Sequence, residues 1–405
     1  MGWRRVWLGL VGFLLTVSLS CAQAQTPVQS AAPGSESPAP ELSVPQEESP
    51  DLAMALPSST VAIAATAGPA GLYDPPRGDV RLAVISDLNS AYGSTDYDPE
   101  VDKAIELLPF WQPDLVVCSG DMIAGQSLSL SADQVRRMWD AFDAHVAAPL
   151  RTMGLPFGFT VGNHDASASQ SSSGGFTFQQ ERDLAQAYWQ QPNQASGLNF
   201  QAQDDFPFYY SFVQNDIFFL AWDGSSSRIP ADKLAWVERE LASPAAQQAN
   251  LRIMLGHLPL YAVAEGRNQP GEVMDNADEL RQMMERHNVH TYISGHHHAY
   301  YPAHKGNLQL LHTGLLGSGP RSLLDQPQRS PKTLTVVDIT FDAPEPTTYT
   351  TYDIQTLAQV ENAQLPRLLT GHNGMVMRRD VAWDDLSTTE LSFCEQRLGA
   401  ARCGR

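Results

Sequence analysis

From residue 80 onward, short apolar runs alternate with stretches of helical spacing. Runs at 81–86, 114–119, 156–161, 251–255 and 291–294 are four to six residues long and largely apolar. That is the pattern of strands covered on both faces. Between them, 100–110, 132–146, 176–190, 231–241 and 277–287 carry apolar residues at helical intervals. The segments 207–213 and 217–222 read as strands joined by Asn215-Asp216, a hairpin signal that lacks the usual glycine. Further strands are expected at 309–313, 333–341 and 347–354. The alternation turns β-rich towards its end and predicts stacked sheets flanked by helices. The Ser/Gly-rich stretch 167–175 reads as a mobile loop, and no internal repeat is visible. Residues 25–78, rich in Ala, Pro, Ser, Glu and Gln, read as a flexible tether. The expected organisation is an export signal over 1–24, a linker over 25–78, one folded domain over 79–355, and a tail over 356–405 packed on that domain.

Composition adds three points. The chain has 405 residues, 42% hydrophobic, enough for one large core with appendages. Its formal charge of −19 argues against non-specific binding to nucleic acid or to anionic membranes. A small anionic substrate remains compatible, because bound cations invert the local field. Arg4 and Arg5, the apolar run 6–19 and Ala22-Gln23-Ala24 form an export signal with a small-residue cleavage site. Cys21, just after the apolar run, offers lipid attachment as the alternative to soluble export. Any membrane association would run through that lipid. Cys118 sits in an apolar run and reads as a buried thiol, whereas Cys394 and Cys403 are placed to pair in an oxidising compartment.

The candidate chemistry lies at the ends of the apolar runs. They terminate in Asp87-Leu88-Asn89, Gly120-Asp121, Gly162-Asn163-His164-Asp165, Gly256-His257 and Gly295-His296-His297-His298. In open α/β sheets the carboxyl ends of the strands form the ligand crevice, so five such ends bring distant residues to one place. Carboxylates, amide oxygens and imidazoles without thiolates suit hard or borderline divalent ions. Alone, Gly120-Asp121 is an ordinary turn, and a single His257 is more often structural. The five together, in this order, are not ordinary.

The set D-x-N, GD, GNHD, GH and GHHH resembles the motifs of the calcineurin-like metallophosphoesterase superfamily over 79 to about 350. The resemblance implies a four-layer α/β/β/α sandwich of two mixed sheets and hydrolysis of a phosphate ester, mono- or diester. It implies two divalent ions (Mn, Fe, Zn, Mg or Ca) and a metal-bound hydroxide as nucleophile. By motif position Asp87 and His298 would hold the first ion, Asp121 would bridge both, and Asn163, His257 and His296 would hold the second. His164 would face the substrate, and Asp165 would orient His164 through a hydrogen bond. His297 is the variable position. One residue departs from the pattern: Asn89 stands where the first motif normally has His. Purple acid phosphatases also lack that His but supply a Tyr three residues after the GD aspartate, a position occupied here by Ala124. Asn89 is kept as a ligand of the first ion, and a weakened, binding-only protein is the alternative function. Tyr92, Trp222-Asp223, Tyr300, Tyr301 and Arg321 are possible neighbours of the site. Substrate identity is not legible in these residues.

Overall fold

The computed structural model describes residues 55–194 and 196–403. The export signal, Cys21 and the first part of the expected linker lie outside the described residues. Within them run fourteen strands: β1 (Val80–Ile85), β2 (Leu115–Cys118), β3 (Phe157–Phe159), β4 (Phe200–Asp205), β5 (Tyr209–Gln214), β6 (Ile217–Ala221), β7 (Leu251–Leu255), β8 (Thr291–Ser294), β9 (Tyr300–Lys305), β10 (Leu308–Thr313), β11 (Thr333–Ile339), β12 (Thr347–Asp353), β13 (Leu368–Gly371) and β14 (Gly374–Arg378). The helices are α1 (Ser58–Ala64), α2 (Pro99–Trp111), α3 (Ala132–Phe142), α4 (Ala148–Met153), α5 (Asn163–Ala166), α6 (Gln179–Trp189), α7 (Ala231–Leu241), α8 (Pro244–Gln248), α9 (Ala277–Arg286) and α10 (Thr388–Leu398).

Two mixed sheets form, ordered β12-β11-β1-β2-β3 and β13-β14-β9-β10-β8-β7-β6-β5-β4. β1, β2 and β3 run parallel, as do β6, β7, β8 and β10, and the flanking strands are antiparallel. Strand periodicity assigns the faces. Val80, Leu82 and Val84 of β1 pack with Ile217, Phe219 and Ala221 of β6 in one layer between the sheets. The alternate residues Ala83 and Ile85, and Phe218 and Leu220, join a second core built with the helices, including Val101, Ile105 and Leu108 of α2 and Val237 and Met284. Helices therefore cover the outer faces, which is the four-layer sandwich expected from the sequence. Each of these large side chains contributes about 1.5–3 kcal/mol on burial, so the central layer locks the carboxyl ends of the two parallel sets at one edge.

Local chemistry explains several boundaries. Asn215 and Asp216 both have positive φ (50° and 58°), the conformation a two-residue hairpin turn needs and one that Asn and Asp tolerate. The predicted helix 132–146 is interrupted by a π-helical turn, Asp143–Ala147, before α4. Pro149 has no N–H to donate to the carbonyl four residues back, and a wider turn avoids that clash. Three differences from expectation follow. α1 lies inside the predicted linker and is tied to α2 by the Thr60 hydroxyl, which donates to the Glu106 carbonyl. β4 and β9 escaped detection: β4 is a half-exposed edge strand of polar character, and β9 carries Pro302. The segment expected to be a featureless tail adds β13 and β14 to the larger sheet through Met377–His304 and Arg378–Ala303 pairing. α10, closed by a Ser387–Glu390 capping box, follows it, and Cys394 and Cys403 form a disulfide.

Candidate metal centre

Asp87 follows β1, Asp121 follows β2, Asn163 and His164 follow β3, His257 follows β7, and His296 and His298 follow β8. Getting their side chains to one point distorts the backbone. Asp87, Asp121, His296 and His298 all have positive φ, between 49° and 64°. Such strain persists only where surrounding packing over-determines it, and it concentrates at functional sites. Two glycines are required by contact. A Cβ on Gly162 would lie 2.1 Å from the Asp121 Oδ1, and one on Gly295 would lie 2.4 Å from the Asp87 Oδ2.

Two groups of potential ligands result. Asp121, His257 and His296 form one, and Asp87, Asp121 and His298 the other; within each, one donor atom per residue lies within 4.8 Å of the others. Asp121 belongs to both. Asn163 joins the first group, its Oδ1 being 2.9 Å from His257 Nε2 and 2.8 Å from His296 Nδ1. In the second group His298 Nε2 lies 3.2 Å from the Asp87 Oδ1.

The partners on the far side of each imidazole fix its tautomer. His257 Nδ1 donates to the Ser119 carbonyl (2.9 Å), His298 Nδ1 to the Gly319 carbonyl (3.0 Å), and His296 Nε2 to the Glu272 carboxylate (2.8 Å). These acceptors carry no proton, so the opposite nitrogens present lone pairs towards the site. In the first group those lone pairs meet the Asn163 Oδ1 and the Asp121 carboxylate. Converging lone pairs repel unless a cation stands among them, so the donor set fits a divalent ion, with the outer partners that metal-binding imidazoles require. Without an ion the protons respond. Burial disfavours charge on His257, yet the Asp121 carboxylate outweighs it and pushes the imidazole up to about 9. Burial lowers His296 to about 4. The hydrogen bond from His296 holds Glu272 well below the usual carboxylate range, with Arg267 adding to the effect. Asp121, although buried, is held far below that range by His257 and His164.

His164 sits at the rim. Its Nδ1 donates to the Gly125 carbonyl (3.0 Å), and its Nε2 is 3.9 Å from the Asp121 Oδ2. The ring of Tyr92, which is 65% exposed, packs 5.0 Å from the His164 ring. The expectation that Asp165 orients His164 is corrected. The Asp165 carboxylate instead accepts three backbone N–H groups, from Met122, Ile123 and Gly162 at 2.7–2.9 Å. It clamps the loop after β2 to the loop after β3, and a buried carboxylate so enclosed has no ring to hold. Burial first, then the Asp121 charge, push it up to about 7 against those N–H groups. Asn89 is buried beside the second group, its N–H donating to the Asp121 carbonyl and its carbonyl accepting from Ser318 N–H. Ala124 is buried and offers no donor. His297 is structural: Nε2 donates to the Glu272 carbonyl, and Nδ1 accepts from Val263 N–H. Tyr300 and Tyr301 belong to β9 and its core. Arg321 is half-buried, its backbone N–H donating to the His298 carbonyl.

A cleft of about 970 Å³ opens beside the first group, lined by Gln126, Asn163, Phe176, Arg182, Arg267, Glu272 and His296 among others. In it Arg182 lies 4.0 Å from the ring centres of both Phe176 and Phe208 and pairs with Asp223 at 2.8 Å. Sequence reasoning missed Gln126, Glu181, Arg267 and Glu272. Gln126 lies five residues beyond Asp121 but outside the motif itself, and Glu181, Arg267 and Glu272 lie far from every motif, so that only the fold carries them to the centre.

Two mixed sheets in a four-layer sandwich, with Asp, Asn and His side chains converging at the strand ends, define a metallophosphoesterase-type fold. A sequence profile of the calcineurin-like phosphoesterase family matches residues 80–300, more than half of the chain, and the protein belongs to that family. No curated protein matches the sequence. Among solved structures, the purple acid phosphatase of yellow lupin (Lupinus luteus) seeds aligns with a TM-score of 0.52 at 16% identity, over 71% of this chain and 54% of that one. The chain thus spans about half the length of the lupin protein, and the likeness is one of fold. GAP50, the anchor in the inner membrane complex of Plasmodium, aligns at 14% identity over 79% and 94% of the two chains, TM-score 0.43. A putative 5'-nucleotidase of Staphylococcus aureus aligns at 13% over 78% and 57%, TM-score 0.38.

Proposed function

We propose that this protein hydrolyses a small phosphate ester, mono- or diester, at two divalent ions held in ligand groups that share Asp121. The observation that carries the proposal is this sharing: one buried carboxylate belongs to both groups, and each adds its own imidazoles or carboxylate. When bound, such ions supply Lewis acidity and acidify water near neutral pH. The chain's residues do the rest. Asn163, His257 and His296 hold one ion, and Asp87 and His298 the other. His164 gives its Nδ1–H to the Gly125 carbonyl, and in its imidazolium form its Nε2–H would hydrogen-bond a phosphoryl oxygen or give a proton to the leaving group. The chain's −19 charge favours small esters over polyanionic nucleic acid. The test is turnover of a phosphate-ester panel by the mature chain loaded in turn with Mn, Fe, Zn, Mg and Ca, with bound metal counted. Two ions and no turnover of any ester would favour the binding-only reading, which Asn89 supports.

Asn89 also motivates a prediction. An amide oxygen is a weaker donor to borderline metals than an imidazole, so the Asp87–His298 ion should bind less tightly than the other. Calorimetric titration of metal-free protein should show two unequal steps, and Asn89→His should tighten the weaker one and shift it towards Zn or Fe. Equal steps, together with an inert Asn89→Ala, would remove Asn89 from the ligand set.

We further propose export, on the strength of Arg4, Arg5, the apolar run and Ala22-Gln23-Ala24. N-terminal sequencing should find a start at Gln25 or at a lipid-modified Cys21, and an intact Met1 on the cytoplasmic protein would count against it.

A further inference from the structure

An asparagine ligates through oxygen only if its amide is turned the right way. In this chain the pull on Asn163 runs the other way when no ion is bound. His296, whose Nε2–H goes to Glu272, presents its Nδ1 lone pair 2.8 Å from the Asn163 Oδ1. Flipping the amide would set its NH2 group against that lone pair, satisfy it with a hydrogen bond and close the site to a cation. Something must hold the opposite orientation. The structure provides it: Asn163 Nδ2 donates to Gln126 Oε1 at 2.8 Å, which leaves Oδ1 facing the centre.

Gln126 is itself held in place. It has φ 68°, a left-handed conformation that a glutamine does not adopt without support. That support is Glu181 of α6, 3% exposed, whose carboxylate accepts from Gln126 N–H at 2.8 Å and from Ser127 N–H at 3.2 Å. The preceding residue, Gly125, supplies the carbonyl that takes the His164 Nδ1 proton, and its own N–H donates to the His164 carbonyl at 3.1 Å. A Cβ at position 125 would come within 2.4 Å of that carbonyl oxygen, so the loop can approach only as glycine. One short loop, pinned by a carboxylate 55 residues away, thus serves the amide of Asn163 and the ring of His164 together.

We infer that Gln126 is a positioning residue: it fixes the amide of Asn163 with oxygen towards the ion, and Glu181 anchors it there. This rests on the metal assignment proposed above. Outer partners of metal ligands are typically worth about 10–100-fold in metal affinity. Gln126→Ala should therefore weaken the tighter calorimetric step by about 10–100-fold and leave the weaker step unchanged. Gln126→Glu keeps an acceptor at the same place and should bind at least as tightly as the unmodified chain. Asn163→Asp offers oxygen on either side, so it has no orientation to set. On that background Gln126→Ala should cost less than about threefold. Gln126 is half-buried at the cleft wall, and unchanged circular dichroism and thermal midpoint should accompany each variant. Equal metal affinities for the unmodified chain and Gln126→Ala overturn the inference, as does Gln126→Glu binding as weakly as Gln126→Ala, or an undiminished penalty on the Asn163→Asp background. An unmodified chain that takes up no ion overturns the metal assignment itself, and this inference with it.

Discussion

Asp121→Asn should empty both ion positions and reduce kcat by about 10³-fold or more. Asp121 is the one residue common to the two ligand groups, and it is 1% exposed. Its removal leaves Asn163, His257 and His296 without any carboxylate, and leaves Asp87 and His298 as a pair. Lewis-acid stabilisation of the transition state is worth several kcal/mol, and each 1.4 kcal/mol is a factor of ten in rate. Asparagine is the instructive substitution, because Asp121 has φ 55° and Asn tolerates that conformation. The fold should stay intact by circular dichroism while metal analysis falls towards zero. The variant also removes the negative charge that raises His257, so that imidazole should lose its affinity for a proton. Retention of two ions per chain by folded Asp121→Asn would show that the shared carboxylate is not a ligand to both.

His164→Ala should behave differently: kcat should fall by about 10²–10⁴-fold with metal content nearly unchanged. The reason is geometric. The hydrogen bond of residue 164 to the candidate metal ligands is made by its backbone N–H, which donates to the Asp121 Oδ1 at 2.8 Å and survives the substitution, whereas the ring Nε2 stands 3.9 Å from the Asp121 Oδ2. Its imidazole is less buried, with a side chain 13% exposed against 0% and 6% for His257 and His296. The two roles open to the ring are separable. If Nε2 protonates the leaving group, esters of acidic phenols, which leave without a proton, should lose much less rate than alkyl esters. If the ring binds phosphoryl oxygen, both should lose rate alike. Loss of metal on His164→Ala, or undiminished turnover, would contradict its placement at the substrate side.

How much of this was legible in advance depended on how far each interaction reaches along the chain. β7, β8 and α7 lie at the predicted bounds, because a buried strand or an amphipathic helix writes its period into consecutive residues. The terminal hairpin did not, since its place is set by pairing with β9 rather than by a local pattern. The candidate metal ligands were legible because each follows a strand in a short motif, with glycine in every one but that of Asp87. Gly162 and Gly295 carry that mark for a tertiary reason: the carboxylates of Asp121 and Asp87 occupy the space a side chain would need.

The sequence by itself determined the strand–helix alternation, the family, and which Asp, Asn and His residues gather. Hydrophobic periodicity and strand-end motifs are local, and the parallel order of the strands then leaves one place for them to meet. Only the tertiary structure decided what surrounds those residues. Asp165 turned out to clamp backbone N–H groups, Glu272 to hold His296, and Gln126, through Glu181, to hold Asn163. Hydrogen-bond partners of this kind are selected by distance and direction in space. A glutamate on a helix or a glutamine in a loop carries no sequence mark of the imidazole or amide it will meet.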